Sequence, residues 1–261
     1  MGGGAIGKLE RPFDLAHAEL GGLMSPRILG ILLLASASLW PMAAFAYRPF
    51  DGTDADVADV GVWEIELAPF NWRHNDDGTQ WIAPAVIANY GFAPNWELVL
   101  EGRNTIFDRG GDEFSDAAAS LKTVIREGSL QDKEGVSLGS ELSVLLPGIR
   151  TDNGAGLAFA FLASDRKDWG AWHFNIGPTL TRDGHGGMFA GAILEGPESW
   201  PVRPVAELRY EKTFGGEEMI AVLGGVIIPV SDSLSFDIGL RHARQGGRPD
   251  EQLRAGVTFD L

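Results

Sequence analysis

Val136-Ser137-Leu138-Gly139-Ser140-Glu141-Leu142-Ser143-Val144-Leu145-Leu146 alternates oily and wet side chains: Val136, Leu138, Leu142, Val144 and Leu146 fall on one side, Ser137, Gly139, Glu141 and Ser143 on the other. A period of two is the signature of a strand, because successive side chains leave the backbone on opposite faces. The same unit of roughly ten residues followed by a turn recurs from Gly61 to Leu261. So many two-faced strands cannot hide every apolar face in an ordinary core. Closing the series into a cylinder whose oily exterior meets lipid resolves the conflict, which predicts an all-β, antiparallel up-and-down transmembrane β-barrel.

Working outward from that stretch, the pattern predicts strands over 62–72, 80–90, 96–106, 116–126, 136–146, 156–163, 171–180, 188–195, 202–214, 219–229, 234–241 and 251–261. Twelve is an even count, which returns both ends of the barrel to one side as in bacterial single-chain barrels. The stretch 219–229 alternates least. Turns at 92–95 and 230–233 are short and suit the periplasmic side, whereas the Gly/Asp-rich stretches 73–79, 107–115, 147–155, 181–187, 215–218 and 242–250 read as external loops. Trp63, Trp72, Trp81, Trp96, Trp169, Trp172 and Trp200 fall near strand ends, where aromatic girdles meet the two membrane interfaces. Glycine is frequent at 35 residues, and several lie within strands, as at Gly139, Gly239 and Gly256; there glycine suits barrel curvature and close approach of another backbone. The chain ends on Val257, Phe259 and Leu261 in strand phase, resembling the terminal strand that barrel assembly machinery recognises.

Upstream, Arg27, the apolar run 28–39 and Ala44-Phe45-Ala46 have the form of a secretion signal, with cleavage expected after Ala46. The apolar run is too short for a membrane-spanning helix, which needs about 20 residues. Met24 reads as the start codon, so residues 1–23 are taken as an extension, 24–46 as the signal peptide, 47–60 as a polar periplasmic lead-in and 61–261 as the barrel. The destination is the outer membrane of a Gram-negative bacterium. The absence of cysteine leaves no disulfides to staple the exported protein, so backbone pairing must hold it together. The mean hydropathy of −0.01 suggests a soluble chain only because wet and oily faces average out. The first 46 residues carry three basic and three acidic groups, so the remainder keeps the whole formal charge of −15, which disfavours nucleic acid as a partner.

Positions in the inward phase include Glu64, Glu66, Glu97, Glu101, Arg103, Lys122, Arg126, Glu141, His173, Glu207, Arg209, Glu211, Asp237, Arg241 and Arg254. In a barrel of more than eight strands the interior outgrows simple side-chain filling, so these charges are candidate pore-lining residues. Their mixed signs permit either a transverse field across an open lumen or a lumen closed by ion pairs.

The stretch Arg48-Pro49-Phe50-Asp51-Gly52-Thr53-Asp54-Ala55-Asp56, continuing to Gly61-Val62-Trp63-Glu64-Ile65-Glu66, resembles the opening of Gram-negative barrels grouped with the meta-pathway phenol-degradation transporters. The hairpin Tyr90-Gly91-Phe92-Ala93-Pro94-Asn95-Trp96-Glu97-Leu98 is similar to theirs too. The resemblance implies an outer-membrane channel linked to uptake of hydrophobic or aromatic compounds, and carries over no catalytic residue.

An enzyme is the rival reading. His173 lies near Asn175, and Ser137, Ser140 and Ser143 lie on the predicted fifth strand, but a serine nucleophile needs a histidine within hydrogen-bond reach and a third group to orient it. Outer-membrane phospholipases place theirs on the lipid-facing surface, whereas His173 is in the inward phase. Asn75-Asp76-Asp77-Gly78, the acidic residues of 108–112 and Asp183-Gly184-His185 offer oxygen ligands without the spacing of a calcium loop, and no phosphate-binding or dinucleotide motif is present. Neither metal nor cofactor is therefore expected. The expected activity is passive passage of small solutes, amphiphilic or aromatic ones among them. A barrel-borne hydrolase and a non-conducting structural or adhesive barrel are the alternatives. Expected partners are outer-membrane lipid, lipopolysaccharide, the solutes and the assembly machinery.

Overall fold

The computed structural model describes residues 48–107, 112–148 and 154–261. The expected extension, signal peptide and cleavage point after Ala46 lie outside the described residues. Thirteen strands run in order: β1 (Trp63–Ala68), β2 (Asn71–Asn75), β3 (Gly78–Ala93), β4 (Trp96–Phe107), β5 (Asp112–Arg126), β6 (Ser137–Leu145), β7 (Gly156–Lys167), β8 (Gly170–Leu180), β9 (Gly186–Glu195), β10 (Arg203–Thr213), β11 (Glu218–Ser231), β12 (Leu234–Gln245) and β13 (Arg248–Asp260). From β2 onward each pairs antiparallel with the next, while β1 and β2 do not pair with one another and both pair with β3 on one side and β13 on the other. The first two are therefore one stave interrupted at Pro69 and Phe70, and the wall is a closed antiparallel barrel of twelve staves. Proline has no N–H to give to a ladder. Pro69 stands at that interruption, and Pro84 stands where the β3–β4 register shifts between Ile82 and Ala85.

Most staves run further than the hydropathy pattern marked, at the expense of the expected external loops, while β6 and β10 each stop slightly short of it. The expected loop 73–79 shrinks to Asp76 and Asp77, because β2 continues to Asn75 and β3 starts at Gly78. The expected loop 242–250 shrinks to Gly246-Gly247, both with positive φ (57° and 85°), the backbone that a two-residue hairpin of matching twist requires. At the other end the connections 94–95, 168–169 and 232–233 are equally tight; 127–136 is longer and folds a single 3-10 turn, Ser129–Gln131.

Polarity is inverted relative to a water-soluble protein. On β8, Phe174 and Ile176 are 55% and 49% exposed, while His173 and Asn175 between and beside them are each 3% exposed. The same holds on β12, where Phe236, Ile238 and Leu240 face out and Asp237 and Arg241 face in. Exposed apolar faces this extensive find their solvent in lipid, and buried polar ones find theirs in the lumen. The tryptophans divide unevenly: Trp63, Trp96, Trp169, Trp172 and Trp200 belong to the end with both barrel termini, and Trp72 and Trp81 to the other. Trp63 stacks on Tyr90 at 4.6 Å between ring centroids.

The substitution Phe174→Arg places a charge on the lipid face and should cost about 2–4 kcal/mol if that position lies at mid-bilayer. Folding into liposomes with subsequent denaturant titration measures it, and a loss near zero would show that this face meets water.

Candidate functional site

The polar stretch expected as a periplasmic lead-in is inside the barrel. Residues 48–60 track the inner wall, and because they join no ladder before the bridge from Val60 to Gly91, wall side chains satisfy their backbone. The Asp51 amide donates to Glu207 at 2.7 Å, the Ala55 amide to the Ser164 hydroxyl at 3.0 Å, and the Ala58 amide to Glu97 at 2.6 Å. The Asn175 side chain copies a strand partner: its oxygen accepts from the Thr53 amide at 2.7 Å and its nitrogen donates to the Thr53 carbonyl at 2.6 Å. Arg254 donates to the Pro49 carbonyl at 2.8 Å, and Gln131 to the Ala55 carbonyl at 2.9 Å.

Space for the segment comes from glycine on the wall. A Cβ at Gly91 would stand 2.2 Å from the carbonyl oxygens of both Ala58 and Asp59, and one at Gly256 would stand 2.2 Å from the Arg48 guanidinium. Phe50 packs on buried Val205, Leu223 and Ile227. This explains why the 219–229 stretch alternates poorly: the inner face of β11 is apolar where Phe50 docks on it.

Ion pairs tie the segment down. Arg48 meets Asp237 at 3.2 Å, and Lys122 meets Asp54 at 3.1 Å and Glu97 at 3.9 Å. Asp51 sits between three arginines: Arg241 Nε and Arg254 Nη2 each lie 2.6 Å from its carboxylate, and Arg209 Nη1 lies 3.0 Å from its carbonyl. Burial pushes the Asp51 carboxyl up, but Arg254, Arg241 and Arg209 outweigh it and hold it well below the usual carboxylate range. Asp56 moves the other way: burial and then the Asp54 carboxylate raise it, against hydrogen bonds from Gln131 and the Val57 amide, and it is pushed up to about 6.

A cavity of about 1170 Å³ remains beside the segment. Its lining includes Leu145 and Ala158 toward the end of the staves away from both barrel termini and Ser233 and Leu261 toward the end that holds them. Of the candidate residues, Glu64, Glu66, Glu97, Glu101, Arg103, Lys122, Glu141, Arg209 and Arg254 border it. The signs are mixed around the wall. Glu101 on β4 and Glu141 on β6 lie half a turn away from Arg209 on β10 and Arg241 on β12, but Arg103 and Lys122 stand among those acids and Glu207 and Asp237 among those arginines. Glu207, Asp237 and Arg241 are buried on the wall and bonded to the segment. Glu211 pairs with Arg209 at 2.6 Å and does not border the cavity. Arg126 is the clear departure. A register shift between Val124 and Arg126 turns it out of the inward phase, and it is exposed at the stave end.

His173 also lies away from the cavity. Its Nδ1 is 3.0 Å from the Ser164 hydroxyl, and its Nε2 is 3.3 Å from Glu195, which Arg203 meets at 3.1 Å. None of the three serines singled out in the sequence is among these contacts; the partner is on β7. Serine, histidine and carboxylate in line resemble a hydrolytic triad. Ser164, however, is fully buried and accepts the Ala55 amide, and the void that His173 and Glu195 border holds only about 20 Å³. The array clasps the segment and leaves no room for a substrate. The roles of Ser164 and Asn175 were missed in the sequence because their segment partners lie 109 and 122 residues away; the only local signal was their place in the inward phase. Glu195 read only as the end of a strand.

No protein-family model matches the chain, and no curated protein does. The similarity of residues 48–66 and 90–98 to the phenol-degradation transporters therefore rests on those residues alone. Solved structures do match. KdgM porin is 12% identical, with 75% of this chain and 98% of the porin covered and a TM-score of 0.53. The same porin in complex with disordered oligogalacturonate is 11% identical, with the same coverage and a TM-score of 0.52. An outer-membrane channel from Pseudomonas putida F1 is 11% identical, covers 81% of this chain and 100% of its own, and has a TM-score of 0.54. At such identity what is shared is the fold, that of outer-membrane β-barrel channels.

The raised Asp56 makes docking of the segment pH-dependent. An acid whose pKa rises on docking weakens docking as pH climbs from about 4 to about 7, and the depressed Asp51 acts only below that window. With Thr53→Cys as the sole thiol, labelling by a charged thiol reagent should therefore quicken across that window beyond the thiol's own ionisation, and Asp56→Asn should remove the excess. Gly91→Ala, by driving a Cβ into segment backbone, should quicken labelling at every pH; unchanged rates in both variants would show that the segment is not held as described.

Proposed function

We propose that the chain is a passive outer-membrane channel for small solutes, amphiphilic or aromatic ones among them, and that residues 48–60 narrow its lumen. The observation that supports this most is the cavity of about 1170 Å³ whose lining reaches both ends of the staves, with residues of the segment along one side of it. Its lining mixes apolar side chains such as Ile82, Val86, Ile87 and Val99 with opposed charges, which suits a solute with an oily body and a polar end. Glu64, Glu66, Glu97, Glu101, Glu141, Arg103, Arg209 and Arg254 would line the path, with Lys122 fastening the segment. The fold shared with a porin and an outer-membrane channel supports passage over catalysis, and the opening residues' similarity to phenol-degradation transporters supports aromatic solutes. A secretion signal cut after Ala46 would deliver the barrel to the assembly machinery, with lipid and lipopolysaccharide against its outer face.

Planar-bilayer recording tests this. The chain from Tyr47 should give small, steady conductance steps, and a chain lacking residues 48–60 should give steps several-fold larger. Absence of current from both reconstituted forms would reject an open path.

A further inference from the structure

The acid at the centre of the arginine wall belongs to the segment and not to a stave. Arg209, Arg241 and Arg254 come from β10, β12 and β13 and converge on Asp51. Each distance to the carboxylate oxygens is 2.6 Å, short even for charge-assisted bonds. Removing that one carboxylate would not dismantle the cluster. Arg241 would keep Asp250 at 3.6 Å, Arg209 would keep Glu211 at 2.6 Å, and Arg254 would keep the Gln252 amide oxygen at 3.1 Å. Among the described residues, Asp51 is the acid paired with Arg254. What would remain is a formed seat in which Arg254 lacks its acid and one anion would restore the pairing.

The seat also borders oily surface. Arg209 lies over the Phe189 ring at 4.9 Å, and Phe189, Phe50, Arg209 and Arg254 all line the cavity. We propose that Arg209, Arg241 and Arg254 form a carboxylate-binding subsite that Asp51 occupies in the resting chain, and that an aromatic or similarly amphiphilic carboxylate takes its place and releases the segment. This rests on the channel reading above and names its solute class. Exchange of one carboxylate for another conserves the buried charge pairing, whereas a neutral or cationic solute would leave Arg254 without its acid, and breaking a buried pair from one side is strongly unfavourable. Asp51 competes as a tethered ligand with an effective concentration on the order of millimolar, so a free carboxylate must overcome that before it binds.

Benzoate is the probe, with benzyl alcohol and benzylamine as neutral and cationic counterparts. In equilibrium dialysis of the detergent-solubilised chain from Tyr47, Asp51→Asn should bind benzoate about ten-fold more tightly than the unsubstituted chain, because the tethered competitor is gone. Adding Arg254→Gln should return binding to the starting level, and the alcohol and amine should respond to neither change. A second arm spares the charges: in a chain carrying only Thr53→Cys, benzoate should speed thiol labelling several-fold and benzyl alcohol should not. Equal benzoate binding by Asp51→Asn and its parent, or labelling indifferent to benzoate, overturns the proposal. Binding is read here without transport. A chain that binds benzoate but carries no current overturns the channel alone, and one that conducts potassium chloride without preferring benzoate overturns the subsite alone.

Discussion

A peptide group in hydrocarbon has no water to bond with, and leaving it unpaired costs several kcal/mol. That constraint governs the architecture. Every stave must have two neighbours, so the first stave, broken at Pro69, still pairs on both sides through its two halves. Once the ladder is closed, side chains are free to answer to two different surroundings. Alternation along each strand then sorts Phe174 and Ile176 outward and His173 and Asn175 inward without any conventional core.

The same requirement reaches into the lumen. Residues 48–60 form no ladder of their own, yet Arg48, Pro49, Asp54 and Ala55 are buried and most of the others half-buried, so the wall must supply their partners one at a time. Glu207, Asn175, Ser164 and Glu97 do so through side-chain atoms, on staves spread around the barrel. The charges that fasten the segment also shape the space beside it. Arginines gather around Asp51, and both carboxylates and basic groups line the cavity on the facing staves, so one set of charges both closes part of the lumen and lines the rest.

The wall was legible because each strand records its two solvents in consecutive residues. The strand ends were less so: at Asn75-Asp76-Asp77-Gly78 and at Gly246-Gly247 polar residues continue the ladder above the lipid, where alternation no longer distinguishes strand from loop. At Arg126 a single inserted residue is enough to turn a side chain onto the opposite face of its strand. The segment itself was not legible as an interior element. Four aspartates and a glycine in a short stretch read as a solvated loop, and its partners lie 109 residues away at Ser164 and 203 at Arg254. Two traces were present: glycines in the inward phase at Gly139, Gly239 and Gly256, all touching the segment, and the failed alternation of β11, where Phe50 docks.

The span in sequence between Asp51 and its arginines carries a consequence for how the protein is made. Arg241 and Arg254 belong to the last two staves, so the first residues described cannot find their seats until the final hairpin has joined the first stave. The part translated ahead of the barrel is thus seated only once the part translated last is in place, and the settling of Asp51 marks the completion of the seam.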